Sequence, residues 1–212
     1  MNIVVYIGRF QPFHNGHLGQ IKTTMKDFSI ETDAVRLVML LGTNLDSGRT
    51  TKNPFTYNER MEMIINSLDN ELLHATSIEP IFDHPSDKVW AYNVMQTINK
   101  YKRDYIKDNV YLIGDIEESS SYYLDFFPNW MYIGIRHTGE HATDVRNAYF
   151  RTVQQRWKDK TTKHISLDID AVKNLVPLGT FNFLKDASMN SEFLPLTNMF
   201  NIFNNKVKKN VA

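Results

Sequence analysis

Asn2-Ile3-Val4-Val5-Tyr6-Ile7-Gly8-Arg9-Phe10-Gln11-Pro12-Phe13-His14-Asn15-Gly16-His17-Leu18 opens the chain, and its reading decides the fold. The short continuous apolar run from Ile3 to Ile7 is what a strand buried on both faces requires. It ends on Gly8, and a loop with two glycines leads to a helix that starts near Gly16. Gly8 and Gly16 permit close approach of a ligand to the backbone. A helix start there aims free N–H groups and the positive end of the dipole at an anion. His14 and His17 flank this start, three positions apart, so both imidazoles can share one side of a first turn and donate to one phosphate. Arg9 adds a fixed positive charge. The competing reading makes the histidines ordinary loop and cap residues, or part of a metal site. A metal site wants about three or four clustered ligands, and His74, His84, His137, His141 and His164 show no partner spacing.

Outward from this segment the pattern repeats. Apolar runs at Val35 to Leu41, Val110 to Ile113 and Met131 to Ile135 read as further buried parallel strands, with Gly114-Asp115 following the third run as a loop. Met61, Ile64, Ile65, Leu68 and Leu72 mark one helical face between strands, and Val94, Ile98, Tyr101 and Tyr105 another. Alternating strands and helices predict an α/β fold: an open parallel sheet with right-handed crossovers, helices on both faces and ligands at the carboxyl ends of the strands. There is no internal repeat or low-complexity tract. Ala171 to Leu184 and Phe193 to Phe203 read as short helices packed on the sheet domain, and Lys206 to Ala212 as a frayed basic tail. The expected division is a main domain over 1–185 and a small helical extension with tail over 186–212.

Composition narrows the function. With 212 residues, 42% hydrophobic and 12% aromatic, the chain has the makings of a packed core. Lys plus Arg equals Asp plus Glu at 24 each, so no overall field holds nucleic acid or an anionic membrane, and an anionic ligand must be held locally. The absence of cysteine removes disulfides, thiol catalysis and Cys-based zinc sites. The amino terminus lacks the basic region and long apolar run of a signal peptide, which sets a cytoplasmic expectation.

Three further stretches carry chemistry. Lys52-Asn53-Pro54-Phe55-Thr56-Tyr57-Asn58-Glu59-Arg60 contains a Thr-x-x-Glu capping box at Thr56 and Glu59, with Arg60 read by itself as a solvated helix residue. Asp83-His84-Pro85-Ser86-Asp87-Lys88-Val89-Trp90 ends on a tryptophan, either a core anchor or a stacking platform for a flat, positively charged ring. His141-Ala142-Thr143-Asp144-Val145-Arg146 opens a late helix.

The eleven residues from Gly8 to Leu18 resemble the His-x-Gly-His signature of the nucleotidyltransferase superfamily, and in their wider form that of nicotinamide mononucleotide adenylyltransferases. Asn-Pro-Phe-Thr-x-x-Glu-Arg, the Trp90 segment and Thr143 with Arg146 are similar to later segments of the same family. Glu118-Ser119-Ser120-Ser121-Tyr122-Tyr123-Leu124-Asp125-Phe126-Phe127-Pro128 resembles the branch in which the adenylyltransferase is joined to a Nudix hydrolase. The match runs over about residues 1 to 185. No Nudix pattern of spaced glutamates is present in the chain. Glu140 and His141 stand where the family usually has Ile and Ser, which removes one phosphate-binding hydroxyl.

The resemblance implies a Rossmann-like open parallel sheet of the His-x-Gly-His nucleotidyltransferase type. It implies transfer of AMP from ATP to nicotinamide mononucleotide, giving NAD and pyrophosphate. His17, His14 and Arg9 would be catalytic; Gly8, Phe10, Gly16, Lys52, Thr143 and Arg146 would hold ATP and its phosphates; Asn53, Trp90 and Arg60 would serve the nicotinamide mononucleotide. Mg²⁺ would come with ATP and take its ligands from phosphate and water, with no protein side chain as metal ligand. The expected partners are ATP, nicotinamide mononucleotide and NAD, with neither nucleic acid nor membrane, and homo-oligomers are allowed. Two other readings stand beside this one: a nucleotide-binding regulatory domain without turnover, motivated by Glu140 and His141, and a related transferase acting on nicotinate mononucleotide or another phosphate.

Overall fold

The first apolar run forms β1 (Asn2–Gly8), which pairs in parallel with β2 (Val35–Thr43) on one side and β4 (Asn109–Asp115) on the other. β3 (Thr76–Phe82) extends the sheet beyond β2, and β5 (Met131–Ile135) extends it beyond β4. The order β3-β2-β1-β4-β5 is parallel throughout. After β1 the chain builds outward through β2 and β3, then crosses to the other side of β1 for β4 and β5. The carboxyl end of β1 is therefore the point at which strand order reverses, where open α/β sheets bind ligands. The structure is a computed structural model and describes residues 1–31, 35–44, 48–104, 107–115, 125–135, 141–158, 169–188, 191–193, 195–196 and 199–200.

Contacts divide the chain into two compact units. The first comprises Met1–Arg9, Gly16–Asp46 and Leu68–Gly139 and holds the sheet. Its β1 side chains alternate between two faces. Ile3 and Val5, with Val38 and Leu40 of β2 and Val110 and Leu112 of β4, pack with Ala91, Val94 and Ile98 of α4 (Asp87–Asn99). On the opposite face Val4, Tyr6, Leu37 and Met39 are as deeply buried. There Phe28 of α1 (Asn15–Glu31) meets Tyr111 edge-on at 4.5 Å, and the Tyr6 hydroxyl donates to Gln20. Helices thus cover both faces, as the alternation of elements requires.

β3 has no counterpart in the sequence reading. Glu79 and Pro80 interrupt its apolar character, and five of its seven residues are only half-buried. It is an edge strand, paired with β2 alone, so the backbone donor that Pro80 lacks is tolerated. Tyr101, placed on the α4 face by sequence, lies just past the Lys100 cap; Tyr105 lies outside the described residues. Gly114 and Asp115 belong to β4 itself rather than to a loop after it.

The second unit comprises Phe10–Asn15, Ser47–Ser67 and Glu140–Ala212. The stripe read from Met61 to Leu72 as one helix is in fact two, α2 (Tyr57–Ile65) and α3 (Asn70–Ala75), with α3 in the first unit. Asp69 ends any continuation by capping α3, its carboxylate accepting from the Leu72 N–H at 3.0 Å. In α2 the buried residues are Arg60, Met63 and Ile64, whereas Ile65 faces solvent. α5 (Ala142–Lys158) buries Val145, Tyr149, Phe150 and Val153, a stripe of helical period. The helix expected from Ala171 to Leu184 is split by Pro177 into α6 (Asp170–Lys173) and α7 (Leu178–Ala187). Ser191–Phe193 is a single 3-10 turn, and the tail from Lys206 lies outside the described residues. The core of this unit is aromatic: Phe55 has the rings of Tyr149, Phe183 and Phe193 at 6.4, 6.0 and 5.8 Å.

Candidate active site

In the sheet unit, Gly8 ends β1 and Arg9 leaves it toward solvent. Arg9 Nη2 donates to Asp83 Oδ2 at 2.8 Å, and Asp83 is held in turn by its N–H bond to the Thr43 carbonyl at 3.0 Å. A Cβ added at Gly42 would come within 3.3 Å of Arg9 Cδ, so glycine there lets the arginine lie along the end of β2. Both partners are well exposed, so the pair itself contributes little to stability. Gly16 is buried in the first turn of α1. His17 is half-buried, edge-on to the Tyr6 ring at 6.0 Å. Trp90 packs partly against the sheet core, 6.2 Å from the Phe127 ring, as a core anchor does, and keeps part of its surface exposed.

In the second unit the loop after Arg9 turns sharply. Phe10 has a φ of 49° and a side chain only 2% exposed, a left-handed conformation that a non-glycine residue adopts when its surroundings impose it. The Gln11–Pro12 peptide bond is cis. Phe13 and His14 are buried, His14 at 2% exposure, so of the two signature histidines His17 is the one open to solvent. Asn15 starts α1 with two bonds to the turn before Pro177: its N–H to the Leu175 carbonyl at 3.0 Å and its Nδ2 to the Asn174 carbonyl at 2.9 Å.

The predicted capping box of α2 is present, with Glu59 N–H donating to Thr56 Oγ1 and Thr56 N–H to Glu59 Oε2. Arg49 completes it, donating to both Glu59 oxygens at 2.5 and 2.8 Å and to the Pro54 carbonyl at 2.8 Å. Its guanidinium lies 4.8 Å from the centre of the Phe193 ring. Burial pushes the Glu59 carboxyl up, but the bonds from Arg49 and Thr56 outweigh it and hold the group below the usual carboxylate range. The turn from Thr50 to Asn53 closes through Thr50 N–H to the Asn53 carbonyl at 3.2 Å, leaving Lys52 exposed. Arg60 is 2% exposed and its Nε donates to the Thr56 carbonyl at 3.2 Å, so the solvated reading is wrong: this arginine is buried against the N-cap of its own helix.

Thr143 and Arg146 meet at the start of α5. Arg146 Nη2 donates to Thr143 Oγ1 at 3.0 Å and Nη1 to the Gln11 carbonyl at 2.6 Å. Burial draws its pKa down, against the charge of nearby Asp144. Among the described residues neither Arg146 nor Lys52 has a carboxylate within ion-pair distance. His141 is exposed at the head of α5; Glu140 and the stretch from Glu118 to Leu124 lie outside the described residues.

The sequence-predicted residues therefore fall into two sets: Gly8, Arg9, Gly16, His17 and Trp90 on the sheet unit, and Phe10, His14, Lys52, Asn53, Arg60, Thr143 and Arg146 on the other. Gln11 escaped sequence reasoning although it meets both Arg146 and the segment that follows Asn53. Its side chain exchanges two hydrogen bonds with the backbone of Phe55, Nε2 to the carbonyl at 2.8 Å and Phe55 N–H to Oε1 at 3.0 Å.

A parallel sheet of this order, reversing at the carboxyl end of β1, is that of a nucleotide-handling enzyme of the nucleotidyltransferase class. Residues 5–166 match the cytidylyltransferase-like family, and the chain belongs to it. A nicotinamide/nicotinic acid mononucleotide adenylyltransferase of Acinetobacter baylyi is 30% identical over 184 residues, 86% of this chain and 84% of that one. A nicotinamide-nucleotide adenylyltransferase of Saccharolobus solfataricus is 37% identical over 100 residues, 46% of this chain and 54% of its own. Among solved structures, a bifunctional NMN adenylyltransferase/ADP ribose pyrophosphatase of Francisella tularensis, complexed with AMP and a manganese ion, aligns with a TM-score of 0.74 and 25% identity. That alignment covers 100% of this chain and 56% of the Francisella chain.

Proposed function

We propose that the chain transfers the AMP part of MgATP to nicotinamide mononucleotide, forming NAD and releasing pyrophosphate. The observation that carries the reading is Arg146: a half-buried guanidinium held by two neutral oxygens, with no carboxylate among the described residues within ion-pair distance. The mononucleotide adenylyltransferases among the relatives supply the substrate class.

The nucleophile is the 5′-phosphate of the mononucleotide, already anionic near neutral pH because a phosphate monoester has its second pKa at about 6. It attacks the α-phosphorus in line as pyrophosphate leaves, and no general base is needed. The protein aligns two polyanions and places donors where charge grows. His17 and His14 are assigned to the α-phosphate, Arg9, Lys52, Thr143 and Arg146 to the phosphate chain, and Gly8, Phe10 and Gly16 to the backbone cradle. Asn53, Trp90 and Arg60 are assigned to the mononucleotide.

The divalent cation, Mg²⁺ in this proposal, arrives with ATP. Its ligands are assigned to phosphate and water rather than to protein side chains. No helix among the described residues is long and apolar enough to cross a membrane, and a cytoplasmic location is part of the proposal. So is the division into a catalytic domain over 1–185 and an appendage over 186–212.

The test is pyrophosphate release from MgATP with nicotinamide mononucleotide or nicotinate mononucleotide, in wild type and His17→Ala. Release with the amide is expected, with kcat falling about 10²- to 10³-fold in the variant, as for loss of one aimed donor. Nucleotide binding without release from either substrate would replace this reading with that of a regulatory domain.

A further inference from the structure

We propose that Gln11 is a positioning residue, whose side chain sets the loop carrying Lys52 and Asn53 while its main-chain carbonyl orients Arg146. The inference rests on the adenylyltransferase reading for what is positioned, and on the hydrogen bonds alone for how. Gln11 is 5% exposed, and its carboxamide meets the Phe55 peptide as one strand meets another, donating at 2.8 Å and accepting at 3.0 Å. A carboxamide offers a donor and an acceptor side by side in this shape at any pH. An ionised glutamate would present oxygen to the Phe55 carbonyl, and asparagine is one methylene too short to reach.

The bond is directional rather than a prop for the core. The Phe55 ring is already enclosed by Tyr149, Phe183 and Phe193, and the Pro54 carbonyl is held by Arg49. Gln11 engages both peptide units that flank Phe55: Pro54–Phe55 through its N–H, the unit whose carbonyl Arg49 holds, and Phe55–Thr56 through its carbonyl, with Phe55 two residues after Asn53 and three after Lys52. The same residue accepts from Arg146 at 2.6 Å, so a shift of Gln11 displaces the guanidinium as well. The Phe55 backbone, 44 residues away in sequence, and the Arg146 guanidinium, 135 residues away, thus both take their place from one glutamine.

The experiment compares full-length wild type, Gln11→Asn and Gln11→Glu by three measurements. These are hydrogen exchange of peptides spanning residues 50–58, calorimetric binding of MgATP without a second substrate, and steady-state kinetics. Faster exchange in that segment is expected, with MgATP binding weaker by about tenfold and KM rising more than kcat falls, the pattern of misplaced binding groups. The glutamate variant carries a buried charge and is at risk of unfolding; the neutral asparagine variant then decides. MgATP affinity within about twofold of wild type, or weakened affinity with unchanged exchange in 50–58, overturns the proposal. The binding and exchange readings need no turnover, so an inactive wild type would refute the adenylyltransferase reading and still leave Gln11 tested.

Discussion

Arg49 and Arg146 are both half-buried and both sit among the phosphate-suited loops, yet their charges are used in opposite ways. Arg49 is neutralised: the hydrogen bond to Glu59 raises its pKa against the cost of burial, and Pro54, Glu192 and the Phe193 ring take the rest of its surface. Among the described residues Arg146 bonds only neutral oxygens, and the proposal gives its charge to the phosphates. Arg146→Ala is expected to lower kcat/KM for ATP by about 10²- to 10³-fold with little change in melting temperature, and Arg146→Lys to recover only part, since an ammonium cannot reproduce the two-pronged geometry. A loss under tenfold in the alanine variant would remove Arg146 from the phosphate site. Arg49→Met should do the reverse, lowering unfolding free energy by about 1–3 kcal/mol in urea titrations, the range for hydrogen bonds to charged groups. At this scale the sequence was legible where signals are contiguous: the signature run from Gly8 to Leu18 reads without a structure. Gln11 and Arg49 were not, because their meaning lies in partners 44 and ten residues away.

Elements were legible in proportion to how local their causes are. The capping box of α2 needs only Thr56 and Glu59 and was readable; the break between α2 and α3 depends on Asp69 competing with a stripe that continues through it, and was not. β3 was hidden because an edge strand need not be apolar on both faces. The join of α2 and α7 is a further case. A Cβ at Gly179 would lie 2.3 Å from the Asn66 carbonyl carbon and oxygen, closer than any packing permits, and those atoms are main chain and cannot swing aside. Beside it Thr180 N–H donates to Ser67 Oγ at 3.1 Å, fixing the approach. Gly179→Ala therefore forces the two helix ends apart. It should cost about 1–3 kcal/mol, the usual range for overpacking, seen as a lower denaturation midpoint at unchanged m-value. A neutral or stabilising effect would mean that the start of α7 shifts without cost.

For the whole molecule, formal charges cancel at 24 against 24, so self-repulsion is small near neutral pH and acid sensitivity must come from particular carboxylates. Asp108 is the foremost. Its Oδ1 accepts from the Met1 ammonium at 2.7 Å, and Oδ2 from the N–H groups of Arg103 and Asp104 at 2.7 and 3.1 Å, tying the start of β1 to the turn before β4. The ammonium hydrogen bond first, then the backbone donors, hold the Asp108 carboxyl down at about 2 against the cost of burial. A carboxyl depressed in the folded state binds its proton more readily when unfolded, so its contribution is complete above the ordinary value of about 3.9 and is lost as pH falls from there through about 2. Glu59, also lowered, acts in the same direction. Stability should therefore vary little with these two groups from about pH 5 to 8 and fall steeply below about pH 4. Asp108→Asn keeps one acceptor for the backbone but loses the charge that meets the ammonium. Its melting temperature should be lower at neutral pH, with the gap to wild type narrowing as the pH is taken from about 5 toward 2, where the wild-type carboxyl takes up its own proton. Parallel curves across that range would assign the acid sensitivity to other carboxylates and reduce the Met1–Asp108 contact to a surface pairing.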